Sequence, residues 1–207
     1  MTMTTKSMNR ATEFIHMDDV EAMPLMRSEL PERFENFQPS RESALDNEMM
    51  AEHGFPGSDA ERFRSVGRIG GFMREFVSVV PSFGTDGVDF MLATVAHLFD
   101  TPQSVHDWMH DVFLKDFETN VGVALGQNQR LIGSERLEPD GFFDEAVALK
   151  ALHEDNDRLI SVTIVDFRVG RVLGVAFVGT LGDHTRLAEA TELAVALEQR
   201  IVSVALA

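Results

Sequence analysis

The stretch that decides the fold is VDFMLATVAHLF, residues Val88–Phe99. Val88, Phe90, Leu92, Ala96 and Leu98 fall on one face at a period of two, and Met91, Ala93, Val95 and Phe99 fall on the other. Alternation at that period is the mark of a β-strand. A strand apolar on both faces needs cover on both, so this one predicts an interior strand of a sheet packed between two layers. His97 sits on the second face, where it reads as a core histidine or, with Asp89 or the early helix as partner, a buried proton site.

Working outward, GGFMREFVSVV is a second strand, joined to the first through a turn at PSFGTDG, residues 81–87. On the other side, DTPQSVHDWMHDVFLKDFETNVG predicts a helix. Thr101 is its cap, Pro102 suits its first position, Val105, Trp108, Met109, Val112, Phe113 and Phe117 form its apolar stripe, and Gly122 marks its stop. Four further strands follow in QRLIGSERLEP, DEAVALKALHE, RLISVTIVDFRV and RVLGVAFVGTL, the last two joined by a tight hairpin at Val169-Gly170. A final helix over about 185–204 carries Leu187, Ala190, Leu193, Ala194, Leu197, Ile201 and Val204 on one stripe. Before all of these, SDAERFRSVGRI opens a short helix capped by Ser58 or Asp59. The fold class is α+β, an antiparallel sheet of about six strands flanked by helices on both faces.

The first sixty residues differ in texture. They hold eight of the eleven methionines, with twelve acidic and five basic residues, and Pro24, Pro31 and Pro39 interrupt them. The division this predicts is an acidic Met/Pro-containing arm over 1–57, extended with short helical pieces, and a single sandwich domain over 58–207; the arm reads equally as a partly disordered tail or as an ordered segment docked by its Met, Leu and Phe side chains.

The chain has 207 residues, 34 acidic against 18 basic, and a formal charge of −16. That charge repels phosphates and anionic headgroups, which argues against nucleic acid as a partner. With no cysteine there is no disulfide, thiolate metal site or cysteine nucleophile. No run reaches the roughly 18 apolar residues of a spanning helix. MTMTTKSMNRATEFIHMDDV has no apolar signal core, so the sequence as it stands predicts a cytoplasmic location, and an extracytoplasmic one if a signal or lipobox has been removed. GRIGG lacks the lysine of a phosphate loop and leads into a strand, so Gly70-Gly71 reads as a bulge or a close backbone approach. There is no G-x-S-x-G, and sixteen Phe with no Tyr leave the aromatic core almost without hydroxyls, Trp108 alone having a polar tip.

His106 and His110 stand at i and i+4 on one helix face, the spacing that lets two imidazoles grip one ion. HDWMH resembles H-E-x-x-H with Asp107 in the glutamate position, one methylene short, and no third ligand stands at a diagnostic spacing. The pair reads first as boundary histidines beside the apolar stripe and second as a metal site of His106, His110 and Asp107.

SVGRIGGFMREF, VAHLFDTPQSVHDWMHDVFLKDFETNVG and VDFRVGRVLGVAFVGTLGD, followed by an Ala/Leu-rich helix, resemble a group of poorly characterised bacterial proteins, many of them lipoprotein-like and exported. The resemblance covers roughly residues 61–207 and implies a PsbP-like fold, an antiparallel sheet between helices. It brings no activity with it. The absent catalytic motif, together with a methionine-rich arm whose flexible thioethers fit irregular apolar surfaces, leads to the expectation of a non-enzymatic binding or accessory module with no cofactor, associating with a protein partner or a second copy through that arm. The alternative is a metal- or small-ligand-binding protein using the His106/His110 helix face.

Overall fold

The structure, a computed structural model, describes residues 5–80, 85–124, 129–156 and 158–207. Residues 81–84, the first part of the expected turn, lie outside the described residues. In chain order the helices are α1 (Thr5–Ala11), α2 (Met17–Val20), α3 (Asn47–Glu52), α4 (Ala60–Ser65), α5 (Pro102–Asp107), α6 (Leu114–Thr119) and α7 (Leu187–Ala205), with a π-helical segment, Trp108–Phe113, joining α5 to α6. The strands are β1 (Phe37–Leu45), β2 (Arg68–Ser78), β3 (Asp89–Phe99), β4 (Gln129–Leu137), β5 (Ala146–Asp155), β6 (Arg158–Val169) and β7 (Val172–Leu181). They form one antiparallel sheet in the order β1-β2-β3-β7-β6-β5-β4.

β3 lies inside the sheet and is covered twice, as its two apolar faces require. Leu92, Ala96 and Leu98 join Phe167, Val172, Ala176 and Val178 beneath Ala190, Leu193, Leu197 and Ile201 of α7. On the opposite face Phe99 and Leu173 meet Phe63, Val105, Trp108, Met109 and Val112. Leu114, Leu131, Leu149, Ala151 and Ile164 continue that second core toward β4. Fully burying one such aliphatic side chain is worth about 1.5–3 kcal/mol, so the α7 stripe suffices to fix the helix on the sheet.

The sheet has seven strands, one more than the hydrophobic pattern predicts. The extra one is β1, FQPSRESAL, which is polar and exposed along its middle and buried only at its ends, Phe37 and Leu45. Pro39 does not break it because β1 is an edge strand, where a missing donor is tolerated, and the register shifts between Pro39 and Arg41.

The stretch expected to be an N-terminal arm is, over its described residues, an ordered segment built into the sandwich. It supplies β1 and α3, and Met8, Ile15, Val20, Met23, Leu25, Phe34 and Phe37 are buried in the same core as α7. Arg171, in the β6–β7 hairpin, fastens it by donating to the carbonyls of Thr12 and Ile15 and to that of Phe99. The hairpin itself turns at Gly170, whose φ of 59° and close contact with Thr12, 2.0 Å from where a Cβ would stand, leave no room for a side chain. Met8 and Met23 of this methionine-rich segment are thus spent on the chain's own interior.

The helix over 102–119 starts where the sequence says. The Thr101 side chain accepts from the Ser104 amide at 3.0 Å, and Pro102 occupies the first turn. Thr101→Ala is expected to cost about 1 kcal/mol, the usual worth of such a cap. A melting temperature equal to wild type would show that the cap does not hold this helix start.

Candidate metal centre

Burial of Val105, Trp108, Met109 and Val112 against the sheet turns the opposite flank of the helix outward, and His106 and His110 stand on it. Their rings are 4.5 Å apart between centroids. His110 belongs to the π-helical segment, a local widening of the helix that recurs at functional positions.

Between the two imidazoles lies Glu145, the residue before β5. Its carboxylate is 2.8 and 3.0 Å from His106 Nδ1 and 2.7 Å from His110 Nε2. The side chains of His106, His110 and Glu145 are 43%, 37% and 22% exposed, so the cluster opens to solvent. One donor atom from each residue lies within 4.8 Å of the others.

The loop that presents Glu145 is fixed from several sides. The Arg168 amide donates to the Glu145 carbonyl at 2.9 Å, extending the β5–β6 pairing by one residue. The Arg168 guanidinium donates to Asp144 at 3.2 Å and to the Pro102 carbonyl at 3.3 Å, tying the loop to the start of α5, and lies 3.5 Å from the Glu145 carboxylate. Glu198 of α7 accepts from the Phe143 amide at 3.0 Å, and Phe142 stacks on Phe167. Partial burial disfavours the ionised form of Glu145, but the hydrogen bonds with His110 and His106 and the charges of His106 and Arg168 outweigh it and hold the carboxyl below its ordinary value.

The other residues singled out in the sequence lie elsewhere. Asp107 accepts from Gln103 one turn back on the helix and is not among the clustered donors, so the H-E-x-x-H analogy ends there. Asp111, not one of the residues singled out, pairs with Lys115 four residues on. Trp108 is 6% exposed and packs between Phe63 and Phe99, which makes it a core residue.

His97 is buried as expected, with a different partner. Asp89 bonds Thr180 and Arg186 instead, and His97 Nδ1 faces Arg68 Nη2 at 3.0 Å. Burial, and then the charge of Arg68, push the His97 pKa well below the ordinary histidine value, so the ring is neutral. Gly71 makes this possible, because a Cβ there would stand 2.3 Å from His97 Nδ1. The glycine pair serves both of its expected roles, since the β2–β3 register also shifts between Arg68 and Gly70.

Fold and site together define a helix-covered antiparallel α+β sandwich bearing a solvent-facing His–Glu–His cluster. The sequence matches no protein-family model and no curated protein. Among solved structures the chain is similar to the extracellular domain of PknH from Mycobacterium tuberculosis, with a TM-score of 0.60 and 10% identity over 91% of this chain and 97% of that one. It also matches a Mycobacterium smegmatis protein described as an Rv0999 ortholog, at a TM-score of 0.43 and 11% identity over 82% and 90% of the two chains. The first likeness establishes the fold. No helix among the described residues is long and apolar enough to cross a membrane.

Proposed function

We propose that this chain is a binding domain whose cargo or signal is a divalent transition metal held by His106, His110 and Glu145. The observation that carries the reading is the convergence of one ligand atom each from His106, His110 and Glu145 within 4.8 Å of one another, with Glu145 2.8 Å from His106 Nδ1 and 2.7 Å from His110 Nε2, from two elements that are separately anchored. Two imidazoles and one carboxylate are borderline donors that suit zinc, and three protein ligands leave a fourth position open to water or to a donor from a partner. Asp107, the residue in the glutamate position of H-E-x-x-H, turns back to Gln103 and is not among the clustered donors, which favours binding over hydrolysis of that type. The likeness to an extracellular domain supports placing this binding outside the cytoplasm.

Titration calorimetry with zinc tests it. Wild type is expected to bind one equivalent, and Glu145→Gln to weaken the affinity by at least the roughly 10–100-fold that loss of an outer-shell partner costs. Because Glu145 is partly exposed, the variant keeps its fold, and circular dichroism checks that. Equal affinity in Glu145→Gln and wild type rejects the site.

A further inference from the structure

On the sheet face away from α7, between β1–β3 and α3, lies a cavity of about 310 Å³. Small-molecule sites usually measure roughly 300–1,000 Å³ and are apolar with a few convergent polar groups. This one has that composition: Met49, Met50, Met73, Val95 and Phe177 form its walls, and His97, His53 and Arg41 supply the polar groups.

The charge behind His97 decides what fits. Arg68 is 2% exposed and donates to three neutral acceptors: Asn47 Oδ1 at 2.7 Å, the Leu45 carbonyl at 2.8 Å and His97 Nδ1. Among the described residues no carboxylate touches it, and Asp46 acts on it only through its field. A guanidinium can only donate, so His97 Nδ1 accepts and the neutral ring carries its proton on Nε2. At the rim, Arg41 makes no ion pair among the described residues, although the chain carries a formal charge of −16.

Three thioethers and two imidazoles would ordinarily suggest a soft metal ion. A cation at His97 would, however, lie close behind the buried Arg68 charge and be repelled by it. An anionic group gains from the same charge, relayed by a ring that presents N–H. We propose that the cavity binds a small amphipathic carboxylate, its head group accepting from His97 Nε2–H and its apolar tail among the methionines, whose flexible side chains adapt to irregular shapes. Arg41 adds positive potential at the entrance.

Octanoate, 1-octanol and octylamine share a tail and differ in head group, so calorimetric titration with the three separates the readings. Octanoate is expected to bind at least about tenfold more tightly than 1-octanol, because charge-assisted hydrogen bonds are the stronger kind, and octylamine is expected to bind least. Arg41→Glu, on the exposed rim, should weaken octanoate and leave 1-octanol unchanged, and Met50→Trp should fill the cavity and weaken all three. His106, His110 and Glu145 are untouched in these variants, so the outcome is independent of the metal site. Failure of octanoate to bind the folded protein, octylamine binding as tightly as octanoate, or octanoate affinity unmoved by Met50→Trp would each overturn the proposal.

Discussion

Arg68→Met is expected to lower the stability of the fold by about 3–5 kcal/mol, although it replaces a buried charge by an apolar side chain of similar length. Such exchanges are neutral or stabilising when every polar partner is replaced too, since the desolvation cost disappears. That cost is real here: burial, opposed by the field of Asp46, pushes the Arg68 pKa down to about 10. But the partners remain. Asn47 Oδ1, the Leu45 carbonyl and His97 Nδ1 would all lose the donor that Arg68 supplies, at about 1–3 kcal/mol for each one left unsatisfied. The Asn47 amide still reaches the residue-68 carbonyl at 3.1 Å, so part of the link from α3 to β2 survives. For a chain of this length each kcal/mol moves the melting temperature by roughly 2–4 °C, giving a fall on the order of 10 °C. Adding His97→Leu should recover part of the loss by removing one stranded acceptor. A single variant that melts at the wild-type temperature would show that this network holds nothing.

Elements with a strong period were legible in the sequence: β3 from its two apolar faces, the helix after Thr101 from its cap and stripe, and α7 from its spacing. β1 was not, because an exposed edge strand has no apolar period and carries Pro39, which ordinarily argues against a strand. The same holds at the metal centre. His106 and His110 share a helix face by local geometry alone, whereas Glu145 reaches them only because β5 pairs with β6 in one register and Arg168 holds the loop. Nothing in the spacing of 35 residues between His110 and Glu145 encodes that. Arg68, likewise, meets His97 through a cross-strand approach that depends on Gly71 lacking a side chain.

Asp166 is legible in the sequence as the one acidic residue inside the apolar run SVTIVDFRV. It is 1% exposed, it lies between Val147 and Val175 on the neighbouring strands, and neither carboxylate oxygen has a hydrogen-bond partner among the described residues. Burial raises its pKa well above the ordinary aspartate value, so it is held as the neutral acid. Asp166→Val, a β-branched side chain suited to this strand and to its two valine neighbours, is therefore expected to stabilise the protein by about 2–4 kcal/mol at neutral pH. The sign of the pH dependence follows from the direction of the shift. Below about pH 4, the unfolded value, both states carry the proton, and the variant gains only the removal of an unsatisfied polar group. As pH rises above that value the unfolded chain releases its proton while the folded chain keeps it, which favours unfolding of the wild type alone. The advantage of Asp166→Val should therefore grow from pH 4 to pH 7, as read from urea midpoints at the two pH values. A constant difference would mean that the folded carboxyl titrates like an exposed one, and a loss of stability would mean that Asp166 has a partner worth more than its burial costs.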